Sequence, residues 1–278
     1  MRLNPKTSQK IMRIVLGIAT GLTIFILLFI IVFMLSKGIP VLNWEFLSNF
    51  PAKMGKAGGI LPTIIGTFVL TLVAIIIATP LGVGAAVYLT EYIREGKITK
   101  IIRFGAESLA GIPSIIFGLF GFILFVVTLK MGWSILSGGL TLAFMILPTI
   151  IRTSEEAIKT VPYSYREVSF SLGATKWETI KKVVLPNALP GIVTGIILGI
   201  GRSVGETAAV IFTAGSSLRL PSSLFDSVRT MSVHFYILSR EGISMKNACG
   251  TAAVLVIFIL AMNLTAYWIM HKFTKRNL

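Results

Sequence analysis

The sequence predicts an all-α integral membrane protein with six transmembrane helices. Of its 278 residues 54% are hydrophobic and only 13% charged, too few charges to cover a soluble domain. Several apolar runs approach or exceed the roughly 20 residues that cross a hydrocarbon core as helix. The Lys and Arg residues are also distributed unevenly. Taken alternately, the N-terminus, the 91–103 loop, the 152–187 loop and the C-terminus hold 4, 4, 6 and 3, against 3, 1 and 4 in the intervening loops, with Arg202 inside a span. This bias predicts that both termini are cytoplasmic. It also accounts for the net charge of +15 as a topology signal, so no nucleic-acid partner is expected.

The spans are predicted near 13–35, 60–90, 102–129, 138–151, 188–214 and 249–270. The first follows Arg2, Lys6, Lys10 and Arg13 in the manner of a signal peptide. Its apolar run is too long for one and no small-x-small cleavage site follows, so it is expected to remain as an anchor. The second is long enough to tilt and the fourth is short. Pro62, Pro80, Pro113 and Pro148 each fall within a span, where kinks are expected. Glu91 and Glu107 sit at span ends, which interfacial placement explains. The 215–248 loop is long for a simple connection and carries a candidate amphipathic piece around Val228–Leu238. It is expected to fold back toward the spans, to receive a binding protein, or to lie at the surface as a helix.

Several chemistries are disfavoured. The single cysteine, Cys249, begins the last apolar run and leaves no disulfide framework or thiol pair. His234 and His271 are far apart, which argues against a metal site. Gly-Lys occurs only in "EGKI" and "MGKA", without the serine or threonine of a phosphate-binding loop. No cofactor is expected.

The hydrophilic stretch "YREVSFSLGATKWETIKKVVLP", residues 165–186, reads as two short amphipathic helices. Ser164 and Glu167 form a capping-box pattern after Pro162, and Tyr165, Val168 and Leu172 make an apolar stripe. Gly173 suits a left-handed helix end, and Thr175 with Glu178 gives a second capping box. Trp177, Ile180 and Val184 make the second stripe, and Pro186 is expected to end the element. Stripes like these on so polar a loop need burying, by the membrane face or by a partner. Composition does not choose between them.

Glu167, five residues, Gly173, nine more, then Val183-x-Leu185-Pro186 resembles the E-A-A-x3-G-x9-I-x-L-P loop of ABC importer permeases, with Val168 and Ser169 in place of the alanines. The resemblance implies a type I permease fold. It further implies that 163–184 is a cytoplasmic coupling helix docking on a separate ATP-binding subunit. Glu167, Val168, Leu172, Gly173, Ala174, Trp177, Val183, Leu185 and Pro186 are the residues it assigns to that role. The chain itself is then a transport subunit and not an enzyme.

In the fifth span Gly191, Gly195 and Gly199 recur at every fourth position, a row that lets helices approach closely in lipid. Arg202 and Glu206 need a different account. Arg202 lies about 21 Å along the helix from Ala188, where a lone charge costs on the order of 2.5–3.5 kcal/mol. Four residues apart on one helical face, the two are expected to pair, either for structure or in a transport path. An arginine there can meet an oxyanion through two parallel hydrogen bonds. Arg152, in "IIRTSEE", is a second path candidate or an ordinary interfacial anchor.

"GRSVGETAAVIFTAG" resembles the Arg-x3-Glu-Thr-Ala segment of phosphate-importer permeases. "GGILPTIIGTFVLT", "GVGAAVYLTEY", "GIPSIIFGLFGF" and "LPSSLFDSVRTMSVHFYILSREG" resemble the same subunits, so the likeness covers nearly everything from residue 58. The PstA type fits better than its PstC partner. The resemblance implies two domains: 1–57, a tail, the first span and an outside loop, and 58–274, the permease core. It implies a multi-pass inner-membrane complex with a second permease (PstC type), an ATPase dimer (PstB type) and an external phosphate-binding protein (PstS type). That complex would move inorganic phosphate inward, with Arg202, Glu206 and Arg152 in its path or gate. A permease for another oxyanion, such as sulfate or molybdate, would share the loop. An ATP-independent secondary transporter or channel would leave the loop unexplained, and no internal repeat supports it.

Overall fold

The computed structural model describes residues 5–276. Arg2, which enters the charge bias, lies outside the described residues, as do the side chains of Lys272, Lys275 and Arg276. The helices in chain order are α1 (Pro5–Gly38), α2 (Trp44–Ser48), α3 (Leu61–Val87), α4 (Lys97–Ala110), α5 (Ser114–Gly121), α6 (Ile135–Thr160), α7 (Tyr163–Ser171), α8 (Lys176–Thr179), α9 (Leu185–Gly205), α10 (Ala208–Thr213), α11 (Met231–Arg240) and α12 (Met245–Arg276). A small antiparallel ribbon, β1 (Pro51–Ala52) with β2 (Ala57–Gly58), lies between α2 and α3.

Among the described residues, five helical stretches are long and apolar enough to cross a membrane: Gln9–Val41, Leu61–Tyr92, Ile135–Thr160, Lys176–Gly205 and Met245–Trp268. The third predicted span, 102–129, is a broken one: α4 and Ser114–Thr128 are long and apolar enough together but are bent by 100° where they meet. Pro113 accounts for the break, because it donates no hydrogen bond and forces the preceding residue out of helical geometry. The fourth span is longer than predicted. α6 runs on through the polar "RTSEEAIKT" to Thr160, so Arg152 lies within a helix and not in a loop. The fifth differs in the other direction. α9 ends at Gly205, and the chain restarts as α10 only after Glu206 and Thr207.

The core lies where α3, α6, α5 and α10 meet, with Leu70, Leu142, Met145, Ile146 and Ile150 essentially sealed from solvent. The glycine row has the predicted use. A Cβ on Gly191 would meet Ala157, one on Gly195 would meet Thr153, and Gly199 faces Ile146, so α9 lies close along α6. Gly118 of α5 is similarly tight, with a Cβ there 2.9 Å from Cα of Ala209 in α10. α1 stands apart. Its apolar side chains are exposed within this chain, and its end packs through Gly38 on Cys249 and Ala253 of α12.

The 215–248 loop folds back on the bundle. Thr230 caps α11 by accepting from the Val233 amide, Met231 N–H donates to Thr67 Oγ1 of α3 at 2.9 Å, and Ser232 Oγ donates to the Glu206 carbonyl at 2.6 Å. The amphipathic piece predicted over Val228–Leu238 is thus α11, placed three residues later and largely buried.

His234 of α11, outside the spanning helices, is fully buried, with Nδ1 3.5 Å from Arg229 Nη1. Burial first, then the Arg229 charge, push its pKa down to about 4. The unfolded chain therefore binds a proton that the folded chain refuses between about pH 6.5 and pH 4. Stability is unaffected above that window and falls as pH drops through it, by up to about 3 kcal/mol. Melting in detergent is expected to show this loss in the wild type, and His234→Gln should flatten the slope. Parallel slopes would count against it.

Candidate functional site

The stretch 163–184 is built as a hairpin of helices. α7 starts after Pro162, whose extended ψ of 138° turns the chain out of α6. The predicted Ser164–Glu167 capping box does not form. Pro162 occupies the cap position, and Ser164 falls inside the first turn. At the other end Gly173 takes φ +81°, the left-handed geometry expected of it. The second capping box is made in full: Thr175 Oγ1 accepts from Glu178 N–H at 3.3 Å, and Glu178 Oε2 accepts from Thr175 N–H at 3.0 Å.

Ser169 Oγ and Thr179 Oγ1, 2.8 Å apart and buried, tie α7 to α8. A hydroxyl at the position where related loops carry alanine has this local use. Pro186 does not end the element. The backbone widens into a π-turn over Ile180–Val184 and continues into α9, with Pro186 in its first turn where its missing N–H costs little.

The first predicted stripe, Tyr165, Val168 and Leu172, stays open, whereas the second divides between a buried pair and an exposed Trp177. Ile180 and Val184 are buried against Ala86, Val87 and Ile158. Val168, Leu172 and Trp177 instead remain 61%, 83% and 57% exposed. Glu167 and Gly173 share that open face, with Ala174, Val183, Leu185 and Pro186 partly covered beneath it. The Glu167 carboxylate engages no described residue. The loop thus presents an apolar, aromatic-bearing tip that nothing in this chain covers.

Arg166 faces the other way and was not singled out by sequence. Nη2 lies 2.6 Å from Glu91 Oε1 and Nε 3.1 Å from the same oxygen, while Nη1 donates to the Val161 carbonyl at 2.9 Å and Nη2 to Ile158 at 3.2 Å. One guanidinium therefore satisfies orphan carbonyls at the end of α6 and holds a carboxylate just beyond α3. Glu91, expected only to sit at a span end, is thus a largely buried ion-pair partner.

The three path candidates are not brought together. Arg202 is half-buried in the last turn of α9, and its guanidinium makes no hydrogen bond to a described residue. Glu206 lies past the helix end with extended backbone, so the two no longer share a face and form no direct ion pair. The expected pairing is corrected: Glu206 meets the Ser114 side chain at the start of α5 and feels Arg202 only at longer range. Two helix breaks, 111–113 and 206–207, thus face one another beside Arg202, and irregular backbone of this kind is tolerated in a membrane only where protein or a cavity surrounds it.

Arg152 lies elsewhere. It is exposed in a cavity of about 380 Å³ between α3, α4 and α6, 3.3 Å from Glu156 and 3.8 Å from Glu107. Exposed pairs of this kind contribute little stability. Among the described residues no group of three His, Cys, Asp or Glu side chains could hold a metal ion.

The family described as binding-protein-dependent transport system inner membrane component matches residues 78–277. The chain belongs to that family. This permease is 34% identical over 283 residues to the probable ABC transporter permease protein YqgI of Bacillus subtilis, covering 96% of each chain. It is 38% identical over 224 residues to the phosphate transport system permease protein PstA 1 of Mycobacterium tuberculosis, covering 80% of this chain and 73% of that one. A solved bacterial ABC transporter involved in import of the acidic polysaccharide alginate has a chain that superposes with a TM-score of 0.67 at 15% identity, covering 96% of each. At that identity the likeness establishes the fold alone, the type I fold of ABC importer permeases. The permease is a multi-pass membrane transport component, not an enzyme.

Proposed function

We propose that this permease is the PstA-type subunit of an ATP-driven importer of inorganic phosphate. The ATP-coupled part of the reading rests on one observation, the uncovered tip of 163–184 bearing Val168, Leu172 and Trp177. A water-facing apolar surface of this kind calls for a partner. The basic bias of the loops supports a cytoplasmic position for this tip and both termini, where an ATPase dimer of the PstB type would grip it. A PstC-type permease would complete the membrane core formed here by 58–274, and a PstS-type protein would deliver the anion from outside.

Phosphate is supported by the relatives named for it and by Arg202, a half-buried cation at the end of α9 whose guanidinium makes no hydrogen bond to a described residue. ATP binding would draw the docking loops of the two permeases together and open the path outward, and hydrolysis would reset it.

Purification in mild detergent tests the docking. An ATPase subunit is expected to stay bound, and a permease that purifies without one would contradict the reading. Gly173→Val gives a sharper result. Nothing lies within 4 Å of a Cβ there, so the cost is conformational, about 1–2 kcal/mol for leaving an L residue in left-handed geometry. Phosphate moved per ATP hydrolysed is expected to fall about tenfold while the protein still inserts. Sulfate or molybdate uptake in place of phosphate would transfer the assignment to another oxyanion.

A further inference from the structure

We propose that the Arg166–Glu91 pair is the strut through which movement of the docking loop reaches α3, a reading that rests on the docking role given to 163–184. Along the chain α7 follows α6 through the extended residues Val161 and Pro162, with Arg166 also on the α6 carbonyls, and α8 continues into α9 through the π-turn. α3 has no chain connection to the loop, yet its cytoplasmic continuation, the π-turn Tyr88–Tyr92, is held from both sides of the elbow. Arg166 of α7 grips Glu91, and Lys176 of α8 lies 4.9 Å over the Tyr92 ring. Both side chains of the ion pair are only 10% exposed, so salt and water screen it little.

Apolar packing of Ala86 and Val87 on Ile180 and Val184 also joins these elements. Such packing resists compression but slides apart under tension. A guanidinium meeting a carboxylate through Nε and Nη2 resists both, and it fixes direction as well as distance. α3 then carries the displacement toward the opposite end of the bundle. There Thr67 accepts from the Met231 amide, and the adjacent Ser232 hydroxyl donates to the Glu206 carbonyl at the α9–α10 break. Arg166 and Glu91 are accordingly positioning residues, remote from both nucleotide and anion.

The test uses the complete complex reconstituted in vesicles, with phosphate uptake and ATP hydrolysis measured together for Glu91→Gln, Arg166→Lys and Gly173→Val. Glu91→Gln leaves Arg166 on the α6 carbonyls and removes only the charge pair. It is expected to keep the ATPase bound and hydrolysing while phosphate per ATP falls about tenfold. Arg166→Lys keeps the charge but loses the fork and is expected to fall similarly. Glu91→Asp, with its charge retained on a shorter arm, should give an intermediate ratio and serves if Glu91→Gln inserts poorly. A ratio unchanged in Glu91→Gln and Arg166→Lys but lowered in Gly173→Val would overturn the strut and leave the docking loop standing. A ratio unchanged in all three would overturn both. Loss of the ATPase from the Glu91→Gln complex would assign the pair to assembly and likewise overturn the strut.

Discussion

Arg202→Gln is expected to reduce phosphate uptake at least about 100-fold with the complex intact. A charge-assisted hydrogen bond contributes about 1.5–3 kcal/mol, and a guanidinium can offer an oxyanion two in parallel. Losing both therefore outweighs most single changes elsewhere in the chain. Assembly is expected to survive, because Arg202 makes no internal hydrogen bond whose loss would strand a buried group, and Glu206 is held by Ser114 and the α11 contact without it. Arg202→Lys should recover part of the rate, since the charge returns without the fork. Initial rates of phosphate uptake in vesicles check both, and an unchanged rate in Arg202→Gln would remove Arg202 from the path.

The second large effect is expected at the loop tip. Leu172→Glu combined with Trp177→Ala should weaken ATPase binding at least about 100-fold, since truncating a central interface anchor costs about 2 kcal/mol or more. Both residues are exposed in the permease alone, so its melting temperature should barely move. Titrating the solubilised permease with its ATPase measures the affinity. Wild-type affinity in the double variant would mean the tip is covered by something else.

Features governed by neighbours in the sequence were legible. The apolar runs located the spans, Gly173 adopts the left-handed geometry its position suggested, and the Thr175–Glu178 box forms as spelled. Misreadings came where two local rules competed. Pro162 displaces Ser164 from the cap, and a π-turn lets the helix absorb Pro186. The Arg202–Glu206 pairing assumed a continuous helix, and the chain leaves helical geometry after Gly205. Contacts between distant segments had no local signature. Arg166 and Glu91 are 75 residues apart, and only the parallel packing of α6 along α3, which puts their C-terminal ends side by side, brings them together. A buried partner for Arg166 was hinted at only by its lying on the face of α7 opposite Val168 and Leu172.

Phosphate transport past Arg202, driven by an ATPase gripping 163–184, is the expected activity. Its most direct test is radiolabelled phosphate accumulation in vesicles containing both permeases and the ATPase, with the binding protein on the side opposite the loop. Uptake against a gradient is expected to require ATP on the loop side and to disappear in Arg202→Gln. Accumulation that proceeds without ATP, or ATP-driven uptake of sulfate with phosphate excluded, would contradict it.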